Sequence, residues 1–97
     1  MYARVTISKI KPGKFDEAIA IYRDSVVPAA KQQKGCKGLF DLGDRATGKG
    51  MSIVLWDTEA DMKASEASGF YQQQVGKFKD LFAEPPVLEH YEVVVQA

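Results

Sequence analysis

Among 97 residues there is one histidine and one cysteine, so acid–base, metal and thiol chemistry all rest on very few side chains. Histidine is the side chain whose unperturbed pKa suits an acid or base near neutral pH, and His90 is the only one. It lies in the alternating segment Val87-Leu88-Glu89-His90-Tyr91-Glu92, on the side of Leu88 and Glu92 and opposite Glu89 and Tyr91. That position reads as a dimer contact or a solvated residue. Cys36 opens a strand directly after Gly35 and behaves there as a small apolar side chain. Alone, it forms neither an intrachain disulfide nor a cysteine zinc site, and no metal-binding set is expected. Gly48-Lys49-Gly50 lacks the spacing and the following helix of a phosphate loop, and reads as a hairpin tip. The chemistry that remains is aromatic. Tyr22, Trp56, Tyr71 and Phe78 could wall a pocket for a planar ligand, with the tyrosine hydroxyls bonding a phenol or quinone oxygen; the same side chains could equally be core. Arg4 on an inward face would need a carboxylate partner such as Glu89 or Glu92.

These side chains have to be positioned by strands and helices. Residues 2 to 10 alternate, with Ala3, Val5 and Ile7 on one face and Tyr2, Arg4, Thr6 and Ser8 on the other, which predicts a strand. After Lys11-Pro12-Gly13, apolar residues at Phe15, Ala18, Ile19, Tyr22, Val26, Ala29 and Ala30 follow helical spacing. Pro28 inside that pattern predicts a kink, and Gly35 predicts a helix end near Gln33 or Lys34. Cys36 to Asp44 and Met51 to Trp56 read as strands joined by a short turn, hence an antiparallel hairpin. Thr58 is the expected N-cap of a second helical region, split in two by Ser68-Gly69 and ended by Pro85-Pro86. Val87 to Val95 makes a last strand.

The β-α-β-β-α-β order predicts an α+β, ferredoxin-like domain with a four-stranded antiparallel sheet and the helices on one face. The other face then needs a cover. On this reading it carries Tyr2, Arg4, Thr6 and Ser8, or the mixed set of the last strand, and meets water or a second subunit. Val93-Val94-Val95 at the chain end is an unpaired-edge hazard that dimerisation would also remove.

Composition narrows the classes. Thirteen basic and 13 acidic residues give zero formal net charge, which argues against a nucleic-acid partner. The 45% hydrophobic and 27% charged residues are ordinary for a globular chain. No apolar run approaches the roughly 20 residues of a membrane helix, and the alternating N-terminus is unlike a signal peptide, so a cytoplasmic protein is expected.

Lys11-Pro12-Gly13, Val27-Pro28-Ala29, Gly35-Cys36-Lys37-Gly38 and the strand-ending Trp56 before Thr58-Glu59-Ala60, in this order of elements, resemble the antibiotic biosynthesis monooxygenase family over residues 1–97. The resemblance implies a homodimeric α+β barrel, helices outside, with a pocket between sheet and helices in each subunit. It also implies cofactor-independent oxygenation of a small aromatic or quinol-like substrate. The alternative is a non-catalytic dimeric barrel that binds a small apolar ligand or serves as an interaction domain. Haem degradation is disfavoured: the Asn, Trp and His of that branch fall at about Ala3, Ser65 and Val75.

Overall fold

Strand alternation, helix caps and one proline account for most of the architecture seen in the computed structural model, which describes residues 1–97. The chain runs β1 (Tyr2–Lys9), α1 (Phe15–Ile21), a π-helical turn (Tyr22–Val26), α2 (Val27–Lys31), β2 (Cys36–Asp44), β3 (Lys49–Trp56), α3 (Glu59–Ala67), α4 (Phe70–Gly76) and β4 (Val87–Glu92). The sheet has the order β2-β3-β1-β4 and every pairing is antiparallel. The ferredoxin-like α+β arrangement expected from the sequence is the one observed.

The expected kink at Pro28 takes a specific form. Pro28 has no N–H to offer the carbonyl of Asp24, so an unbroken α-helix would leave that group without its partner. The helix widens just before it: the Val27 N–H reaches back five residues to the Tyr22 carbonyl, and Pro28 falls in the first turn of α2, where no donor is needed. Helix α2 ends at Lys31, slightly before the expected Gln33 or Lys34, and Gly35 has φ +83° in the connection to β2. At α3 the Thr58 hydroxyl accepts the Asp61 N–H at 3.1 Å, as its N-cap position predicts. Gly69 with φ +87° separates α3 from α4, and β4 stops at Glu92, short of the predicted Val95.

Register decides which residues share a face. Arg4 lies opposite Val54 on one side and His90 on the other, Thr6 opposite Ser52, and Asp41 opposite Ser52 from the far edge. This set faces the helices, because Arg4 bonds Ser65 of α3, Thr6 bonds Tyr71 of α4, and Ser52 bonds Tyr22. The sequence reading that sent Tyr2, Arg4, Thr6 and Ser8 towards water or a second subunit is therefore reversed. The opposite face carries Ala3, Val5, Ile7, Phe40, Leu42, Met51, Ile53 and Leu55 and has no helix over it. Phe40 is 57% and Leu42 50% exposed there, while Ala3 and Val5 on the same face are 8% exposed.

Two clusters of buried residues stand on the helix-covered side, while Ala3 and Val5 are buried on the other. Ile10, Ala18 and Leu81 pack with Phe15, Ile21, Phe78 and Phe82 at one end, while Val54, Trp56 and Met62 pack with Tyr2, Cys36 and Leu39 at the other. The β2–β3 hairpin is tied to the first end by the Ile10 N–H, which donates to the Gly48 carbonyl at 2.8 Å. Gly48 has φ +79°, and a Cβ there would stand 2.7 Å from the Ile10 carbonyl oxygen; Gly13 has φ +81° but open space where its Cβ would go. Gly13→Ala is expected to lose about 1 kcal/mol for the left-handed backbone alone. Gly48→Ala is expected to lose at least about 1 kcal/mol more, because the hairpin must also move. Urea unfolding of the two variants side by side measures the difference.

Candidate functional site

Between the two packed ends, the sheet and helices enclose a cavity of about 550 Å³ lined by 26 residues, 16 of them hydrophobic. Its roof is apolar and comes from the helical regions, including Phe15, Val26, Phe70, Val75, Phe78 and Phe82. Its floor is polar and comes from the sheet: Arg4, Thr6, Ser8, Asp41 and Ser52 project into it from three adjacent strands. An apolar enclosure with a few convergent polar groups is the usual form of a small-molecule site.

The widened turn places Tyr22 over this floor. The Tyr22 hydroxyl sits 2.8 Å from the Ser52 hydroxyl and donates a longer bond to the Phe40 carbonyl at 3.4 Å. Burial pushes the phenol up to about 12, so it stays protonated through the physiological range. Tyr71, from α4, holds its hydroxyl 2.9 Å from that of Thr6. Phe78 also lines the cavity, its ring stacked on Phe82 with centroids 6.0 Å apart. Three of the four aromatic residues singled out in the sequence thus stand around one space. Trp56 does not: it is fully buried at the end of β3 against Val54 and Met62, outside the cavity wall, because the strand end where it sits lies beneath α3.

Arg4 has the densest surroundings of any charged group in the chain. Only 3% exposed, its guanidinium lies 4.6 Å from the centre of the Tyr71 ring and 5.1 Å from that of Trp56. Its Nη1 donates to the Ser65 hydroxyl at 2.6 Å and reaches Glu66 Oε2 at 3.5 Å. The carboxylate partners expected for Arg4, Glu89 and Glu92, are replaced by Glu66 of α3: β4 sets His90 directly opposite Arg4, Glu92 opposite Tyr2 on the same face, and Glu89 on the other face. The same Glu66 oxygen is 2.7 Å from His90 Nε2, at the rim rather than in the cavity. Burial pulls the guanidinium below its ordinary value and Glu66 restores part of it.

Asp41 is the residue that sequence reasoning missed. Its outer side meets solvent, yet the protein packed around its carboxyl raises it to about 6. The available signal was its place in β2: counted across the hairpin, Asp41 pairs with Ser52 and so points to the helix side. Arg45, on the hairpin, donates to Asp16 of α1 at 2.7 Å and lies 5.2 Å from the centre of the Phe15 ring, bridging the cavity mouth. No group of three or more His, Cys, Asp and Glu side chains stands close enough to hold a metal ion.

A four-stranded antiparallel sheet with helices on one face and a cavity between them defines the class, and solved structures define it further. One is a crystal structure of an antibiotic biosynthesis monooxygenase, with a TM-score of 0.77 and 19% identity over 98% of this chain and 100% of that one. Rv0793 of Mycobacterium tuberculosis gives a TM-score of 0.77 at 12% identity, over 99% and 97% of the two chains. The heme-degrader MhuD of the same organism, solved with two hemes in its active site, gives 0.79 at 14% identity over 100% and 99%. The chain has the antibiotic biosynthesis monooxygenase fold. No family model matches it. In sequence it is 32% identical over 97 residues to the uncharacterized protein Rv2557 of M. tuberculosis, covering 96% of this chain and 41% of that protein. It is 38% identical over 65 residues to Rv2558, covering 67% and 28%. The chain thus spans about two fifths or less of the length of these relatives.

Tyrosine is the only side chain lining this cavity of a type that ligates haem iron. No His, Cys or Met lines it, and Ser65, at one of the positions compared with the haem-degrading branch, is spent on Arg4 and on the Met62 carbonyl. Ala3, also compared with that branch, lies on the opposite face of the sheet. Nor does any helix have the length and apolarity to cross a membrane.

The Asp41 carboxyl gives the site a pH signature. Because its folded pKa is raised to about 6, the folded chain holds a proton that the unfolded chain has released, and stability falls as pH rises from about 4 through about 6. Asp41→Asn removes that loss. After allowance for solvent screening of a partly exposed group, the variant is expected to gain about 1 kcal/mol over the parent at pH 7.5 and little at pH 4. Thermal melts of both proteins across this range test it.

Proposed function

We propose that the cavity binds a small aromatic, quinol-like molecule and that the chain acts on it as a cofactor-independent monooxygenase. The observation that carries this reading is the enclosure itself: a space of about 550 Å³ with aromatic walls, the hydroxyls of Tyr22 and Tyr71 reaching down from the helical side, and a floor that offers Arg4 and Asp41. Tyr22, Tyr71 and Phe78 are its substrate-binding residues, and Trp56 supports them from behind Arg4. Solved structures of the same fold, one of them described as an antibiotic biosynthesis monooxygenase, support it further.

Such a reaction draws its electrons from the substrate. Asp41, with a carboxyl raised to about 6, is a stronger base than an ordinary aspartate and remains mostly ionised at neutral pH, so it accepts the proton of a substrate hydroxyl or ring-activated CH₂. The resulting anion passes one electron to O₂. The two radicals combine as a peroxide anion on the carbon, Asp41 returns its proton to give the hydroperoxide, and loss of water leaves a carbonyl. One oxygen atom ends in the product and one in water, and the CH₂ carbon supplies all four electrons. Dry walls and the guanidinium of Arg4 stabilise the anion on which the sequence depends.

Purified, metal-free protein is expected to take up one O₂ per carbonyl formed when given anthrones, whose ring CH₂ becomes the carbonyl, with Asp41→Asn slowing kcat by about 10²-fold or more. An oxygen electrode and product mass spectrometry read both. A rise in melting temperature with these compounds but no oxygen uptake would identify the second reading, a non-catalytic dimeric barrel that binds a small apolar ligand.

Residues 1–97 work in this reading as one unit of a cytoplasmic homodimer. Support comes from the uncovered sheet face, where Phe40, Leu42, Val87 and Tyr91 are each at least 50% exposed, and from Val94 and Val95, which extend past β4 at 79% and 84% exposure. Two such faces closed on each other would form the barrel. Light scattering is expected to give twice the chain mass of 10.7 kDa for the parent and the single mass for Phe40→Glu/Leu42→Glu, since each glutamate would be buried unpaired in the closed barrel. A monomeric parent at micromolar concentration contradicts the dimer.

A further inference from the structure

We propose that the cavity is selective for an aromatic ligand bearing a carboxylate, which docks on the free edge of Arg4. This rests on the reading of the cavity as a ligand site and names the ligand's class. Arg4 spends only one of its terminal nitrogens on the protein: Nη1 serves both Ser65 and Glu66. Its Nε is buried and has no hydrogen-bond partner, an arrangement that costs free energy in a folded protein unless something else occupies the donor. The side of the guanidinium that holds Nε also holds Nη2, which makes no side-chain hydrogen bond. Together they form a planar two-donor fork, the geometry that accepts both oxygens of one carboxylate.

The surroundings agree with an acidic arene rather than a neutral one. Arg4 is 97% buried by the difference from its 3% exposure and lines the cavity, so the charge that would meet its free edge has to come from within that space. Glu66 offsets the charge only partly: its oxygen is 3.5 Å from Nη1 but 2.7 Å from His90, and it approaches from the opposite side of the guanidinium to the free edge. Of the charged residues lining the cavity, three are arginines, Arg4, Arg23 and Arg45, against the single carboxylate Asp41. Arg23 and Arg45 are exposed and already paired at the mouth with Asp24 and Asp16, which leaves Arg4 as the buried cation with unused donors. Tyr71 against one side of the guanidinium and the apolar roof above give the ring of the ligand its contact surface. Asp41 lies two strands and two residues away from Arg4, so a carboxylate on Arg4 keeps its own charge away from that of Asp41 while the ring spans the floor between them.

The test compares 1,4-dihydroxy-2-naphthoate with its methyl ester, titrated calorimetrically without oxygen so that binding is read apart from turnover. The acid is expected to bind the parent protein roughly tenfold or more tightly than the ester, the scale of a charge-assisted pair. Arg4→Met is expected to bring the two affinities together, read as the acid-to-ester ratio within the variant, and Arg4→Lys, a point charge without the fork, to restore part of the preference. Circular dichroism and melting establish that each variant is folded. The ratio for the parent needs no variant, so an unstable Arg4→Met leaves the proposal open to refutation. Equal binding of acid and ester by the parent, binding of neither, or an undiminished preference for the acid in a folded Arg4→Met would each overturn it. Oxygen uptake is measured separately: acid-selective binding without uptake retires the oxygenase reading and keeps this one.

Discussion

A guanidinium held under the helices of a small sheet sets the terms for much of this molecule. Arg4 sits on the central part of the sheet, 3% exposed, with a Trp ring and a Tyr ring near it and a serine and a glutamate from α3 on one of its nitrogens. Removing such a charge from water is expensive, and one carboxylate at 3.5 Å does not fully offset it. A chain selected for stability alone would place an apolar residue there, as the valine opposite it on β3 already does. The floor of the cavity therefore gives up stability to keep charge and hydroxyl groups facing an apolar roof. That exchange makes physical sense when the polar groups have a ligand to meet, and it explains why the fixed partners of Arg4, Ser65 and Glu66, both come from one helix.

The rest of the fold keeps this floor open. Two packed ends, around Leu81 and around Trp56, hold sheet and helices apart as pillars do, so the space between them is not filled by collapse. The proline of the first helical region contributes through the backbone: by widening the helix before Pro28, it allows Tyr22 to hang over Ser52 while the following turn resumes regular bonding. Trp56 belongs to this support. Its ring backs Arg4 instead of touching the cavity, so it acts on any ligand only through the position of the guanidinium.

The order of elements, the hairpin, the Thr58 cap and the split of the second helical region could all be read from the sequence, because each follows from local patterns: alternation, glycine, proline and a capping hydroxyl. The direction of the sheet could not. The common rule places the apolar face of a strand inward, and β1 has a clean apolar face in Ala3, Val5 and Ile7, yet that face is the one without helices. The rule fails here for two linked reasons. The helix side holds a cavity floored by polar groups, and the apolar side has no helix over it. Arg4, Thr6, Ser52 and Asp41 were consequently missed or misplaced together, while Tyr22, Tyr71 and Phe78 were found because helical spacing does not depend on which sheet face is covered.

The two faces are coupled through one set of strands. A residue of β1 or β3 that points to the cavity is followed by one that points to the uncovered face, so Arg4 lies between Ala3 and Val5, and Ser52 between Met51 and Ile53. Strand positions on the cavity side are held at fixed spacing by hydrogen bonds whose other side is the open apolar face. Covering that face would remove water from behind the strands that carry the floor and reduce their freedom to twist. A shift of β1 by one residue against its neighbours would exchange Arg4 with an alanine or a valine and put the charge on the apolar face. The cost of that exchange is high on both sides of the sheet, which is how a chain with a modest core still fixes its register: the guanidinium is tolerable in the cavity and nowhere else along the strand.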